Sequence, residues 1–345
     1  MSGSVTYLEA IVIGFVQGVA ELFPVSSLGH AVLIPALIGG SWKTTMDMTA
    51  PQSPYLAVIV ALHVATACAL ILFFRHDWVR VIKGLISSIR DRRISTPYEK
   101  LAWLLVIGTI PVGIAGLILD KLLREHLGKP VWAGVFLALN GVLLLAAERM
   151  RGGSAAGARP AGESGAGGRS SRRGGEDPDE TGGGRRRASS GAHGGGTATL
   201  VRELDKNGRE LPPDIASDVR LARMDRKTAV QLGSAQILGL FPGLSRSGST
   251  IVAGLFKGLR HDDAARFAFL LATPAILGAG MYKLPELAKP ENSSVVGPAI
   301  AGSLVAFVAS YVSVRFLVKY FETKTLTPFA IYCLVAGLAS AAYFA

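Results

Sequence analysis

The sequence predicts an all-α polytopic membrane protein, with about six spanning helices and two re-entrant helical hairpins arranged as an inverted-topology repeat. Half of the 345 residues are hydrophobic, and the mean hydropathy is positive. Six uncharged apolar segments approach the length of about 20 residues that a spanning helix needs. Two further pairs of shorter apolar segments break at the same Leu-Phe-Pro tripeptide, at residues 22–24 and 240–242.

The six predicted spans are separated by polar connections of unequal length. They cover Tyr55–Phe74, Leu101–Leu119, Val131–Ala147, Phe267–Tyr282, Asn292–Val314 and Thr325–Ala345. Three of them contain a proline well inside the run, at Pro111, Pro274 and Pro298. Membrane helices tolerate proline because neighbouring helices satisfy the carbonyl groups that it frees.

Four other apolar segments are too short to span a membrane, and they form two pairs. They are Ala10–Phe23 with Leu28–Ile38, and Thr228–Phe241 with Thr250–Leu259. Proline disfavours helix in the residue before it, and Ser27 and Ser249 are the predicted N-caps of the returning helices. Half-length helices that break at a polar tip are typical of re-entrant hairpins, here at about 8–40 and 228–259. One kinked spanning helix per pair is the alternative.

The charges of the connections predict an orientation. The 75–98 connection holds six Arg and Lys residues against two Asp, which predicts the cytoplasmic side. The nearly neutral connections 41–54 and 283–291 are predicted to lie outside. Threading the six spans through these sides gives the two hairpins opposite entry faces. The halves 1–148 and 228–345 therefore form a predicted inverted repeat, in which paired broken helices mark a binding site.

Residues 149–227 form a Gly/Arg-rich segment between the two halves, predicted to be cytoplasmic and largely disordered. Residues 151–200 contain 16 glycines and almost no large apolar side chain. Such a segment buries too little apolar surface to offset the entropy lost on ordering. Residues 201–227 are charged and predicted to be partly helical. We interpret the arginine runs as a solvated linker that fixes orientation, and we expect no nucleic-acid partner.

The residues that follow each proline suit an anion. The first turn of a helix presents unpaired N–H groups and a positive dipole. Hydroxyl donors add to both turns, and the second turn also has one planar guanidinium, whose fork fits phosphate oxygens. These residues are Ser26, Ser27, Ser245, Arg246, Ser247 and Thr250. Two such tips that face each other predict a phosphate cradle inside the membrane.

The first hairpin also carries acid–base groups. Gln17 lies one turn before Glu21 on the same helical face, and an amide oxygen beside a carboxylate suits a hard divalent cation such as Mg²⁺ or Ca²⁺. Ser27 and His30 offer a nucleophile with a base. The alternatives are a salt bridge from Glu21 to Arg246 and a packed His30.

Other reactive side chains are predicted to be structural. His63 has no acidic residue within four positions, and we expect it to pack inside its span. Cys68 and Cys333 both lie in apolar runs, so neither a disulfide framework nor a metal–thiolate site is indicated.

Two motifs resemble the signatures of the undecaprenyl-diphosphate phosphatases of the bacitracin-resistance type. The first is Gln17-xxx-Glu21-Leu-Phe-Pro-Val-Ser-Ser-Leu-Gly-His30, and the second is Pro242-Gly-Leu-Ser-Arg-Ser-Gly-Ser-Thr250. The segment Phe267–Ala279 also resembles the stretch that follows the second motif. The resemblance covers most of residues 5–148 and 228–345.

The resemblance implies an enzyme of the bacterial plasma membrane that hydrolyses undecaprenyl diphosphate to undecaprenyl phosphate and recycles the lipid carrier for cell-wall synthesis. It implies a divalent cation and a site toward the outer face. We expect the attacking group to be Ser27 with His30 as base, or a water activated by His30 or Glu21, and the sequence does not choose between them. Gln17 stands where many members have Glu, and Leu28 where Thr is common; neither departure removes a group that the mechanism needs.

A transporter is the rival function, because inverted repeats with helix N-termini at an anion site are also a transporter plan. A flippase could carry a polyprenyl phosphate through the same cradle. A receptor or scaffold that uses the arginine-rich segment is a third class. The expected partners are the polyprenyl diphosphate substrate and membrane lipids, and a homodimer is left open.

Overall fold

The computed structural model of the chain describes residues 4–49, 53–156, 203 and 209–345, and the regular elements in these ranges are helical. The α-helices, in chain order, are α1 (Tyr7–Ala20), α2 (Ser27–Ile38), α3 (Gly40–Thr45), α4 (Pro54–Phe73), α5 (Arg75–Arg90), α6 (Pro97–Leu127), α7 (Pro130–Ala156), α8 (Pro213–Ala222), α9 (Arg226–Ala235), α10 (Arg246–Phe256), α11 (His261–Lys283), α12 (Ser293–Tyr320) and α13 (Thr327–Phe344). A 3₁₀ segment at Gln236–Leu240 joins α9 to the second Leu-Phe-Pro.

Within the described residues, six helices are long and apolar enough to cross a membrane, which confirms the six predicted spans. They are α4, the Pro97–Leu119 part of α6, the Pro130–Met150 part of α7, α11, α12 and α13. Helix α11 begins six residues before the predicted Phe267, at His261. Asp262 and Asp263 stabilise that earlier start because acidic groups favour the positive end of a helix.

The four short segments also form helices, joined in two pairs. Helices α1 and α2 flank the first Leu-Phe-Pro, and α9 and α10 flank the second. The predicted caps Ser27 and Ser249 are wrong, because both residues lie inside the helices that follow. Ser26 and Ser245 are the N-caps, and each hydroxyl accepts the N–H three residues later, at 3.2 and 3.0 Å. The re-entrant path of each pair through a membrane stays a prediction.

Helix α1 packs against α12 with almost no side chain between the backbones. A Cβ added at Gly14 would lie 2.3 Å from the carbonyl oxygen of Gly302, and one added at Gly18 would lie 2.5 Å from that of Ala306. The contacts advance along both helices in the same direction, so α1 and α12 run parallel. Small residues at such a crossing allow the close approach that membrane helices use for packing.

Helix α5 and the short α3 were not assigned from the sequence, and α8 was expected only as part of a partly helical stretch. Helices α5 and α8 meet α11 in a buried ionic cluster. The Nε of Arg266 in α11 donates to Asp218 in α8 at 2.9 Å, and the Nη2 of Arg266 lies 2.9 Å from Asp77 in α5. Burial raises the pKa of Asp218, with Arg266 opposing the effect. Helix α8 lies in the stretch predicted to be partly helical, and α7 continues to Ala156. The rest of the predicted disordered segment up to residue 200 lies outside the described residues.

Candidate active site

The two polar tips of the short helix pairs touch each other. The Gly243 N–H donates to the Ser26 hydroxyl at 3.1 Å, and the Ser247 hydroxyl donates to the Glu21 carbonyl at 3.3 Å. The backbone of Gly243 has a φ of +111°, a conformation that glycine adopts without a Cβ penalty. A Cβ at Gly29 would lie only 2.8 Å from the Gly243 Cα. The contact therefore brings the starts of α2 and α10 together.

The Glu21 carboxylate is the centre of this contact, and the residue is only 8% exposed. The Arg246 guanidinium donates to its Oε1, and the Ser27 hydroxyl donates to its Oε2. Gln17 Nε2 also donates to Oε2, at 3.0 Å. His63 Nε2 lies 3.2 Å from the same oxygen. Groups from four separate helices, α1, α2, α4 and α10, thus hold one buried carboxylate in place.

His63 belongs to this site, although the sequence interpretation gave it a structural role. Its Nδ1 lies 2.8 Å from the Ile59 carbonyl, while its Nε2 faces Glu21. Both ring nitrogens therefore meet oxygen atoms, one of the backbone and one of the Glu21 carboxylate. The signal in the sequence was a lone ionisable residue within an otherwise uncharged span.

The His30 imidazole contacts Ser26 and Tyr332 instead of the Ser27 hydroxyl, for which it was the predicted base. Its Nδ1 lies 2.7 Å from the Ser26 carbonyl, which can only accept, so Nδ1 carries a proton. In the neutral ring, Nε2 then accepts the hydroxyl proton of Tyr332 at 2.6 Å, and the two rings stack with centroids 5.8 Å apart. The hydroxyl of Ser27 donates to Glu21 instead. Tyr332 lies in an apolar run, where nothing local distinguished it from a packing residue.

Asn140 of α7 ties the two tips together and was also missed. Its Nδ2 donates to the Pro24 carbonyl at 2.8 Å, and its Oδ1 accepts the Ser245 N–H at 3.1 Å. The side chain is almost fully buried. A buried amide that satisfies both tips with its own donor and acceptor fixes their separation.

The hydroxyls predicted to bind phosphate are engaged within the protein. Ser245 and Ser247 share a hydrogen bond of 3.1 Å, and Thr250 donates to the Arg246 carbonyl at 2.9 Å. Arg246 itself holds Glu21. The predicted site residues of both tips therefore lie around one contact. There, the donors that suit an anion are paired with acceptors of the protein itself.

The residues around Glu21 fit a divalent cation only in part. Gln17 Oε1 is buried and has no hydrogen-bond partner among the described residues. An unpaired amide oxygen beside a carboxylate matches the oxygen ligands that Mg²⁺ and Ca²⁺ prefer. No group of three or more His, Cys, Asp and Glu side chains that could hold a metal ion occurs in the described part of the chain. Gln17 and Glu21 could thus supply two ligands, and phosphate oxygens the others.

An apolar groove of about 780 Å³ runs along α1 and α12 as far as Phe23. It is lined by Phe15, Val19, Phe23, Leu304, Val305, Val308, Ala309, Val312, Ser313 and Phe316. Phe23 lies two residues after Glu21, and its ring packs 5.9 Å from Phe316 and 5.6 Å from Phe329. The volume lies within the range of about 300–1,000 Å³ that is usual for small-molecule sites.

Comparison with known proteins places both tips in regions shared with one family. The family model described as bacitracin resistance protein BacA matches residues 10–164 and 193–339. The chain is 51% identical to an undecaprenyl-diphosphatase of Mycolicibacterium paratuberculosis, over 100% of this chain and 99% of that protein. It is 48% identical to undecaprenyl-diphosphatase 1 of Frankia casuarinae, over 97% of each chain. Undecaprenyl-diphosphatase 2 of Chromobacterium violaceum is 35% identical, over 96% of each.

Proposed function

Because the chain belongs to the bacitracin resistance protein BacA family, we propose that it is an integral membrane phosphatase that hydrolyses undecaprenyl diphosphate to undecaprenyl phosphate and inorganic phosphate. The single observation that carries the proposal is the buried Glu21–Arg246 contact at the meeting point of two helix N-termini. The apolar groove includes Phe23, which follows Glu21 by two residues in the chain. A polar anion site joined to an apolar groove matches a lipid with a diphosphate head.

The diphosphate head binds where α2 and α10 begin. Arg246 exchanges its contact with Glu21 for phosphate oxygens, which accept the guanidinium N–H groups in the same planar geometry as a carboxylate. The N–H groups in the first turns of both helices add further donors. The part of the polyprenyl chain nearest the head lies in the α1–α12 groove, and the remainder extends into the bilayer.

Catalysis rests on positioning and on charge stabilisation, as in phosphoryl transfer generally. Gln17 and Glu21 would hold a Mg²⁺ or Ca²⁺ ion, which would supply neutralisation of the charge on the phosphates. Arg246 stabilises the charge that develops on the transferred phosphoryl group. Asn140 keeps the two tips at a fixed separation while this charge moves.

Ser27 or a water molecule attacks the terminal phosphorus. The Ser27 hydroxyl already donates to Glu21, so this carboxylate is placed to take the proton as the new O–P bond forms. The bond between the terminal phosphorus and the bridging oxygen breaks, and undecaprenyl phosphate leaves. In the serine route, water then hydrolyses the phosphoserine, and His30 Nε2 takes the water proton after exchanging its hydrogen bond with Tyr332 for one with that water.

Release of inorganic phosphate tests the proposal. Purified protein in detergent, supplied with farnesyl diphosphate and Mg²⁺, should release phosphate, whereas a pure carrier releases none. Rapid acid quenching with substrate labelled in the terminal phosphate should then leave the label on Ser27, on His30 or on neither. If folded protein released no phosphate in this assay, the proposal would be wrong.

We place the active site toward the outer face of the bacterial plasma membrane, with residues 149–227 in the cytoplasm and the two helix pairs as re-entrant hairpins. The basic 75–98 connection supports this orientation by the positive-inside rule. In intact cells, an impermeant thiol reagent should label Lys43→Cys and spare Arg93→Cys. The reverse pattern would invert the assignment.

A further inference from the structure

Helix α5 differs from the spanning helices in length and charge. Its 16 residues give a length of about 24 Å, and it follows α4 after a single residue. One face packs on the start of α6: a Cβ at Gly84 would lie 2.9 Å from the Glu99 nitrogen, and the Trp103 indole donates to Ser88 at 2.9 Å. Helix α5 therefore lies across the ends of spanning helices rather than beside them.

The opposite side of α5 carries a stripe of aliphatic side chains. Val79, Ile82, Ile86 and Ile89 are 50–61% exposed, and their spacing of three and four residues places them on one helical face. Ile82 also lines a small apolar cavity against Pro274 of the spanning helix α11. The stripe is thus continuous with the apolar surface of the spanning bundle.

Basic residues border this stripe and follow it. Lys83 and Arg90 lie at its edge, and Arg92 and Arg93 come directly after the helix, all four of them exposed. Of the two acidic residues, Asp77 points away from the stripe into the ionic cluster with Arg266, and Asp91 at the end of the helix pairs with Arg90 at 2.9 Å. The Arg90–Asp91 pair is exposed and therefore weak, so a lipid phosphate can compete for Arg90. Long basic side chains beside an apolar stripe can reach the headgroups while their stems contact acyl chains.

We propose that α5 lies flat in the surface of the membrane and binds anionic phospholipids. The aliphatic stripe inserts among the upper acyl chains, and Lys83, Arg90, Arg92 and Arg93 bind the lipid phosphates, as in other amphipathic interfacial helices. A second copy of the chain fits this surface poorly, because its basic residues would face one another. Four aliphatic side chains are also few for a stable protein interface, which buries about 800 Å² per partner.

Depth measurement by spin labelling tests the insertion. Nitroxide labels at Ile82→Cys, Ile86→Cys and Ile89→Cys, with Arg93→Cys as the control, are introduced into a full-length chain whose native cysteines are replaced and whose Tm is checked. In phosphatidylcholine–phosphatidylglycerol liposomes, the three stripe labels should collide more with oxygen than with a water-soluble nickel chelate, and the control label should show the reverse. Greater nickel accessibility at the stripe would overturn the proposal, and so would labels shielded from both reagents, as a protein partner would shield them.

Comparison of charge variants tests the lipid specificity. Phosphatidylglycerol should raise the Tm of the unchanged protein above its value in pure phosphatidylcholine. Lys83→Gln with Arg90→Gln should at least halve that rise. The matched pair Lys43→Gln with Lys289→Gln, two exposed lysines outside α5, should leave it intact. An equal loss in both double variants would show a general charge effect and overturn the assignment to α5.

Discussion

Replacing Arg246 with alanine should damage both the stability and the activity of the protein. Arg246 and Glu21 form a largely buried pair, with side chains 18% and 6% exposed. Removing one partner of a buried pair usually costs about 3–5 kcal/mol, because the other charge stays behind unpaired. Gln17 and Ser27 still donate to Glu21, so we expect the low end, about 3 kcal/mol. Loss of one preorganised donor should also lower kcat by about 10²–10³-fold.

The assay combines phosphate release from farnesyl diphosphate with thermal unfolding in the same detergent. Arg223→Ala is the matched control, because Arg223 is exposed on the surface and pairs, among the described residues, with Glu203 at 2.8 Å; it should change neither readout. Glu21→Gln combined with Arg246→Ala should recover most of the Tm without recovering activity, since no buried charge is left unpaired. Wild-type rate together with wild-type Tm in Arg246→Ala would refute the assigned role.

Three further substitutions test separate parts of the site. Gln17→Leu should raise the Mg²⁺ concentration for half-maximal rate about tenfold, equivalent to ~1.4 kcal/mol of lost binding, and an unchanged titration would remove Gln17 from the cation site. Tyr332→Phe keeps the stacked ring but loses the hydrogen bond, so kcat should fall about 2–10-fold with the Tm unchanged; Tyr343→Phe, on the same helix, should have no effect. Val308→Trp should fill the groove and lower kcat/KM for undecaprenyl diphosphate about tenfold more than for farnesyl diphosphate. The control Val335→Trp on α13 should change kcat/KM for the two substrates equally. Equal losses on both substrates in Val308→Trp would exclude the groove as the tail site.

The spanning helices could be predicted because each is a long uncharged run whose apolar character does not depend on its neighbours. Helix α5 escaped prediction for the opposite reason: its aliphatic and basic residues alternate around a helix, and in sequence they look like a charged connection. The N-caps were misassigned by one and four residues because several serines follow each proline. Only the backbone path decides which hydroxyl faces the free N–H groups.

The site was predictable where its residues are close in sequence to the two tips. Glu21, Ser27 and Arg246 lie within a few residues of a Leu-Phe-Pro, and the structure brings them together. His63 and Asn140 were missed because each is an isolated ionisable or amide side chain within the apolar part of a distant spanning helix. Their partners are set by how the helices pack, and one sequence contains no local record of that packing.

The close approach of α1 and α12 limits how the molecule can move. Alternating access requires one group of helices to rock against another around a fixed site. At Gly14 and Gly18 the α1 backbone meets the α12 backbone with no side chain to slide over, so the first helix pair can shift only if α12 shifts with it. Exchange of Arg246 between Glu21 and a phosphate needs no such displacement. This rigid contact between α1 and α12 therefore favours a site that stays in place and performs chemistry. It disfavours a transport site that must open to each side of the membrane in turn.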